Sequence, residues 1–153
     1  DGVSYGAKAP DGQKWKDIFL NEVVNEIDMS RIHFLGHIDY SHFIPLLQLS
    51  RVHVYLTYPF VLSWSLLEAM SVGCAIVASN TQPLREAIEH GETGRLVDFF
   101  DASALANEVC SLLDDSSERQ RLGSNARVFA QQNYDLQSIC LPRQLAWVKD
   151  LAA

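Results

Sequence analysis

The residues with the clearest chemical potential lie at the start of a predicted helix, in the run from Tyr58 to Ser65 and at Glu68. The run reads Tyr-Pro-Phe-Val-Leu-Ser-Trp-Ser, and its large apolar groups suit the wall of a pocket. The Glu68 carboxylate, one turn into the helix, can accept two charge-assisted hydrogen bonds from a ribose diol. Backbone N–H groups around Ser63 to Leu66, aided by the helix dipole, can hold a diphosphate without a lysine. This pattern favours a nucleotide-binding site.

Three side chains near this segment have structural alternatives. Ser65 and Glu68 have the spacing of a capping box, in which both side chains bond to backbone N–H groups at the helix start. Trp64 can stack on a base or a sugar, although a tryptophan at the start of a core-facing helix packs more often than it binds. Arg85 follows the loop of residues 79–82 and can face the same ligand or solvent. The sequence leaves these alternatives open.

Strands and helices alternate along the part of the chain that positions these residues. The strands, rich in β-branched, aromatic or apolar residues, are predicted at 32–35, 52–57, 75–78 and 95–97. The helices, with apolar residues at helical spacing, are predicted at 14–27, 41–49, 65–70 and 83–89. This order predicts parallel strands joined by right-handed crossovers, and therefore an α/β fold with a doubly wound parallel sheet. Ligands of such sheets bind beyond the carboxyl ends of the strands.

The chain after the last strand is predicted to be a helical tail. Three helices are expected at 102–114, 117–132 and 135–151. Their N-cap residues are predicted to be Asp101, Ser116 and Asp135. Because no repeat, low-complexity tract or linker divides the chain, a single domain is predicted over residues 1–153.

The composition limits the classes of function. Of 153 residues, 48% are apolar and 20% charged, which is typical of a globular domain with a sizeable core. The net charge of −7 leaves no excess of Lys and Arg for a nucleic acid or an anionic membrane surface, so neither is an expected partner. No apolar run approaches the roughly 20 residues that cross a bilayer. A small ligand is the expected partner.

Cysteine, histidine and glycine patterns exclude several kinds of site. Three widely spaced cysteines, Cys74, Cys110 and Cys140, suit neither disulfides nor zinc and are predicted to be reduced core thiols of a cytoplasmic protein. His33 and His53 fall in strand patterns and are predicted core or edge residues, and no metal site is expected. The glycine motifs of dinucleotide-binding domains and P-loops and the hydrolase nucleophile elbow are absent, which argues against those enzymes.

The segment from Leu67 to Ser79, Leu-Glu-Ala-Met-Ser-Val-Gly-Cys-Ala-Ile-Val-Ala-Ser, resembles the donor-site signature of the family-4 (group 1) retaining glycosyltransferases. Residues 33–36, His-Phe-Leu-Gly, are similar to the family's strand and glycine beside the base, and residues 91–97 to its late turn and strand. The resemblance runs from about residue 30 to 130. It implies the Rossmann-like C-terminal half of a GT-B fold, which binds a nucleotide diphosphate sugar.

The resemblance also implies roles for single residues. Glu68 would bind the donor ribose, and Gly36 would lie beside the base. The remaining donor-binding residues would be Leu62, Ser63, Trp64 and Leu67. A second glutamate of the family stands eight residues before the first, where this chain has Phe60. The paired-glutamate pattern is therefore broken, and no catalytic residue is assigned.

A longer enzyme is a further implication of the resemblance. Such domains begin with a strand, a basic loop, a helix and a second strand before the Asp-Gly found at residues 1 and 2, so we expect an N-terminally truncated chain that is inactive alone. The acceptor, a sugar or lipid-linked glycan, would bind the missing N-terminal domain. Transfer would proceed with retention, without a metal or cofactor, in polysaccharide biosynthesis. The expected location is the cytoplasm, or the inner face of the membrane without insertion.

Two other functions fit the same scaffold. A non-catalytic binding domain derived from a glycosyltransferase is supported by Phe60. A nucleotide-sugar epimerase would need acid/base carboxylates and histidines facing the donor loop, and the sequence shows no such cluster. The base, the sugar, the acceptor and the oligomeric state do not follow from the sequence.

Overall fold

Three short parallel strands form the sheet: β1 (His53–Tyr55), β2 (Ile76–Ser79) and β3 (Arg95–Val97), in the order β1-β2-β3. Val54 pairs with Val77, and Ala78 pairs with Leu96. The structure is a computed structural model and describes residues 7–10, 12–58 and 61–152. The parallel sheet confirms the predicted α/β class, and the last strand has the predicted bounds.

Six α-helices accompany the strands in the described part of the chain. They are α1 (Trp15–Val23), α2 (Tyr40–Leu49), α3 (Trp64–Ser71), α4 (Ala102–Asp114), α5 (Ser116–Tyr134) and α6 (Leu141–Leu151). Short 3-10 turns span Met29–Arg31 and Leu84–Glu86, and a π-helical turn spans Leu136–Cys140. The helical tail is confirmed, with the π-helical turn at its last junction. No helix among the described residues has the length and apolar character needed to span a membrane.

The described residues form two compact units, one ending at Ile38 and the other beginning at Asp39. The first unit holds α1 and the turn Met29–Arg31, and within it the Lys16 ammonium lies 4.6 Å from the centre of the Phe34 ring. The second unit holds the sheet and the other helices. The single domain predicted for residues 1–153 stays a prediction.

The strand predicted at residues 32–35 is not formed. The described sheet consists of β1, β2 and β3, and residues 32–35 have no strand partner in it. Phe34 and Leu35 are exposed despite their strand-like sequence. Because a strand exists only through hydrogen bonds to a neighbour, apolar character alone is an insufficient signal. His33 is therefore exposed, whereas His53 lies on the edge strand, where burial lowers its pKa.

The two faces of the sheet are covered by α3 and by α4, respectively, and α5 contributes residues to both faces. On one face Ile76 and Ala78 pack against residues of α3 and α5 in the larger core cluster. On the other face Val77 packs with residues of α4 and with Leu122 of α5. Alternate residues of β2 thus contribute to two cores, since successive side chains of a strand point to opposite faces. This arrangement confirms the doubly wound sheet.

The caps of the tail helices match the predictions in two of three cases. Asp101 accepts from Ala104 N at 2.8 Å and begins α4, and Asp135 accepts from Ser138 N at 2.8 Å. Ser116 is not an N-cap, because Asp115 accepts from the N–H groups of residues 117 and 118 and begins α5 one residue earlier. Asp115 Oδ1 accepts from two free N–H groups of the first turn, so the helix is already capped before Ser116.

The cysteines differ in their burial. Cys74 lies in the core, and burial raises the pKa of its thiol. Cys110 is exposed and Cys140 is half-buried. The prediction of three core thiols is therefore correct for Cys74 alone, because α4 and the π-helical turn place the other two thiols outside the core.

Candidate functional site

The helix α3 begins at Trp64 with Ser63 as its N-cap, which places the predicted site residues in a defined geometry. The Ser63 side chain accepts a hydrogen bond from Ser65 N at 3.2 Å. Glu68 is then the fifth residue of the helix, beyond the third position that a capping box requires. The capping-box alternative for Ser65 and Glu68 is therefore wrong, and Glu68 has no role at the end of its own helix.

Glu68 instead contacts the first residue of α2. The hydroxyl of Tyr40 donates to Glu68 Oε1 at 2.8 Å. This hydrogen bond is the main cause that raises the pKa of Tyr40. Fixing one carboxylate oxygen orients the other, Oε2, which can accept from a ligand hydroxyl.

A cavity of about 620 Å³ lies beside α3. One face of the helix forms part of its wall, since residues spaced by three and four share a helix face. That face consists of Trp64, Leu67, Glu68 and Ser71, and the preceding loop adds Leu62. The rest of the wall comes from the end of α5, the π-helical turn and α6: Ala130, Gln131, Tyr134, Asp135, Leu136, Cys140 and Gln144. The structure thus brings together Leu62, Trp64, Leu67 and Glu68.

Trp64 is the most exposed large side chain of this wall. Its exposed fraction is 86%, which excludes the packing role that a tryptophan at a helix start more often has. Leu62 and Leu67, by contrast, are half-buried and pack against the larger core cluster. Trp64 therefore offers a free aromatic face at the edge of an anchored apolar surface.

The backbone N–H groups at the start of α3 are partly in use. Ser65 N donates to Ser63 Oγ, and Leu66 N donates to Ser63 O at 3.2 Å. Among the described residues, no acceptor takes the N–H of Ser63 or of Trp64. The N–H groups open to an anion are therefore fewer than the sequence from Ser63 to Leu66 predicts.

The cavity wall carries acidic as well as apolar groups. Asp135 accepts from the hydroxyl of Ser138 at 2.7 Å, and this bond, followed by that from Ser138 N, lowers the pKa of its carboxyl group. Glu68 provides a second carboxylate. Carboxylates suit the hydroxyl groups of a sugar, whereas a phosphate needs N–H donors or a cation. No group of three or more His, Cys, Asp or Glu that could hold a metal occurs in the described ranges.

Three predicted site residues are not among the described residues of the cavity wall. Ser63 is the N-cap of α3 and does not line the cavity. Phe60 falls between the described ranges 12–58 and 61–152, so the structure says nothing about its position. Gly36 belongs to the first compact unit and has a φ of 64°, a left-handed conformation that favours glycine. Its place beside a base stays a prediction. Tyr40 and Asp135 are neighbours of the site that the sequence did not reveal, because neither is linked to Glu68 by spacing.

The comparisons with known proteins point to one family. The model described as "Glycosyl transferases group 1" matches residues 20–129. A glycogen synthase of Mycobacterium tuberculosis is 32% identical over 120 residues, which are 74% of this chain. Among solved structures, a sucrose-phosphate synthase from Thermosynechococcus elongatus has a TM-score of 0.75, 28% identity and 90% coverage of this chain. The Anabaena protein HepE, solved with UDP-glucose, has a TM-score of 0.78, 23% identity and 89% coverage.

The chain spans only part of these proteins. It covers 29% of the glycogen synthase, 34% of the sucrose-phosphate synthase chain and 36% of the HepE chain. The family match nevertheless extends over most of the chain, and the fold agrees with that of the solved structures. The chain therefore belongs to the group 1 glycosyltransferases and contains part of their GT-B fold.

Proposed function

We propose that the cavity beside α3 is the donor site of a glycosyltransferase and binds a nucleotide diphosphate sugar. The observation that carries this proposal is the position of Glu68, on the cavity wall with Oε1 held by Tyr40 at 2.8 Å. Its Oε2 accepts from a ribose hydroxyl, and each charge-assisted hydrogen bond contributes about 1.5–3 kcal/mol. The exposed face of Trp64 stacks on the base or the sugar.

The whole enzyme transfers the sugar to an acceptor with retention of configuration and without a bound metal or cofactor. Membership of the group 1 family supports transfer as the reaction class. Departure of the nucleoside diphosphate requires stabilisation of developing negative charge, which oriented N–H groups and cations provide. The acceptor, a sugar or lipid-linked glycan, binds another part of the protein, and the reaction takes place in the cytoplasm.

A second candidate is a non-catalytic domain that keeps nucleotide-sugar binding. The residue that favours it is Phe60, at the position where the family has its second glutamate. An epimerase has less support, because the described cavity wall includes no histidine. The substitution Phe60→Glu, made in a protein that also carries the acceptor domain, distinguishes an active glycosyltransferase from a non-catalytic binding domain. A large gain in sugar transfer by this variant indicates that the natural site has lost its activity.

Calorimetric titration of the 153-residue chain with UDP, GDP and ADP tests the donor site. We expect one of the three to bind, and the complex of HepE with UDP-glucose makes UDP the first to try. Glu68→Gln should weaken that binding by about 1.5 kcal/mol or more, because it removes the charge from the ribose hydrogen bond. Glu89→Gln, an exposed glutamate outside the cavity wall, is the matched control and should leave affinity unchanged. Failure of all three nucleotides to bind, or equal affinities of both variants, contradicts the proposal.

A further inference from the structure

Arg85 lies in the connection that follows β2, on the side of the sheet where the strands have their carboxyl ends. Ligands of such sheets bind beyond these ends. Arg85 follows β2 by six residues, and the carboxyl end of β2 is joined to its two neighbours. The Ser79 hydroxyl accepts from Thr57 N at 2.9 Å and donates to Thr57 O at 2.8 Å, while Asn80 N donates to Val97 O at 2.7 Å. The loop that carries Arg85 therefore begins at the aligned carboxyl ends of all three strands.

The 3-10 turn Leu84–Glu86 also lies close to the donor cavity. Leu84 is fully buried in the same core cluster as Leu66 and Ala130, residues of the two helices beside the cavity. Tyr134 lines the cavity, and its pKa is raised first by burial and second by the carboxylate of Glu86. An electrostatic effect of this kind requires proximity. Arg85 precedes Glu86 in this turn, which packs through Leu84 on the core cluster shared by α3 and α5.

The guanidinium of Arg85 is held in place by one neighbour. Arg85 Nε donates to Asn80 Oδ1 at 2.7 Å, which fixes the plane of the group. Within the described ranges, its two terminal nitrogens make no hydrogen bond or ion pair. A planar guanidinium with two open terminal nitrogens can bind a phosphate through two parallel hydrogen bonds.

Three other arginines of the second unit bind groups outside the cavity wall. Arg95 and Arg121 each form an ion pair with Glu118 at 2.7 Å, and Arg119 bonds to the last carbonyl groups of α4. Arg51 precedes β1 and so lies at the amino ends of the strands, opposite to the carboxyl ends beyond which ligands bind. Among residues 39–58 and 61–152, Arg85 is the arginine that lies in a loop following a strand end.

The described residues that line the cavity include no Arg, Lys or His. Ser65 N and Leu66 N already donate to Ser63, and the carboxylates of Glu68 and Asp135 on the cavity wall repel a diphosphate. We propose that Arg85, oriented by Asn80, contacts the diphosphate of the nucleotide sugar and supplies a positive charge. The inference rests on the proposed function and adds a donor-binding residue to it.

Titration of the 153-residue chain with UDP and with uridine tests this role, since the two ligands differ only in the diphosphate. Arg85→Ala should weaken UDP binding about tenfold or more and leave uridine binding unchanged. Arg51→Ala, an exposed arginine at the opposite edge of the sheet, is the matched control and should keep wild-type affinity for both ligands. Asn80→Ala should weaken UDP binding less than Arg85→Ala does, because it frees the guanidinium without removing it. Circular dichroism and thermal unfolding establish that each variant is folded.

The possible results separate the inference from the proposed function. An unchanged UDP affinity of folded Arg85→Ala, or an equal loss for UDP and uridine, overturns the role of Arg85 while leaving the donor site in place. A wild-type chain that binds neither ligand, together with failure of GDP and ADP, overturns the donor site itself. A loss confined to UDP, absent in Arg51→Ala, supports the diphosphate contact.

Discussion

Glu68 and Tyr40 show how a site residue acquires its orientation from outside its own helix. The sequence around Glu68 predicted a carboxylate one turn into a helix, and it stands on the cavity wall. Its partner Tyr40 is 28 residues earlier, and no local spacing connects the two. Side-chain chemistry near α3 could therefore be predicted, whereas contacts made through the packing of α2 could not.

A substitution at Trp64 distinguishes a role in ligand binding from a role in core packing. With an exposed fraction of 86%, it contributes little to the core, so Trp64→Ala should change the free energy of unfolding by less than about 0.5 kcal/mol. If its ring stacks on the nucleotide, the same change should weaken binding by about 1–3 kcal/mol. Chemical denaturation and calorimetric titration of the one variant measure both quantities. A clear loss of stability with unchanged nucleotide affinity would show that Trp64 is structural.

The bounds of strands and helices could be predicted where they depend on residues close together in the sequence. The strand at residues 95–97 and the helix at 102–114 have the predicted bounds, the helix because its cap Asp101 acts within one turn. The helix predicted at 83–89 is wrong, since only the 3-10 turn Leu84–Glu86 forms there. The strand predicted at 32–35 is absent, because strand formation depends on a distant partner. The close approach of α5 to the end of α3 was also not predictable, as it depends on two glycines 50 residues apart.

Gly123 allows α5 to lie close to the backbone at the end of α3. A Cβ at position 123 would lie 2.1 Å from the carbonyl oxygen of Gly73, a distance that forces the backbones apart. Alanine in an exposed helix is more favourable than glycine by about 1 kcal/mol, yet here overpacking should reverse the sign. Gly123→Ala should therefore lower the free energy of unfolding by about 1–3 kcal/mol.

Urea unfolding of Gly123→Ala and of Ser124→Ala measures this effect. Ser124 is the exposed neighbour on the same helix, so the control variant has the same new residue without the contact to Gly73. Its stability should equal or slightly exceed that of the wild type. Equal stabilities of the two variants would show that α3 and α5 are not held at the distance described.

At the scale of the whole molecule, the second unit is organised around β2. All four residues of β2 are buried, and its two faces belong to the two core clusters. The doubly wound sheet was predictable, because the alternation of strand and helix permits few topologies. The sequence did not predict the division at residues 38 and 39, since no linker composition marks it.

Stability should differ strongly between the centre and the tail of this unit. Every residue of α6 is exposed, whereas β2 is covered on both faces. Amides of β2 should therefore exchange with deuterium only through global unfolding, and amides of α6 through local opening at far lower free energy. Hydrogen exchange with mass spectrometry measures both. Equal protection of the two segments would show that α6 is packed more firmly than its exposure indicates.

The proposed binding of the donor ribose by the Glu68 carboxylate is tested most directly by a thermodynamic cycle. The cycle compares two ligands and two forms of the protein. UDP and 2′,3′-dideoxyuridine diphosphate are titrated into the wild-type chain and into Glu68→Gln. Loss of the diol should weaken wild-type binding about tenfold or more, and should weaken Glu68→Gln binding much less, because the carboxylate that reads the diol has gone. Equal losses in both proteins would contradict the claim, since the ribose hydroxyls would then be recognised without Glu68.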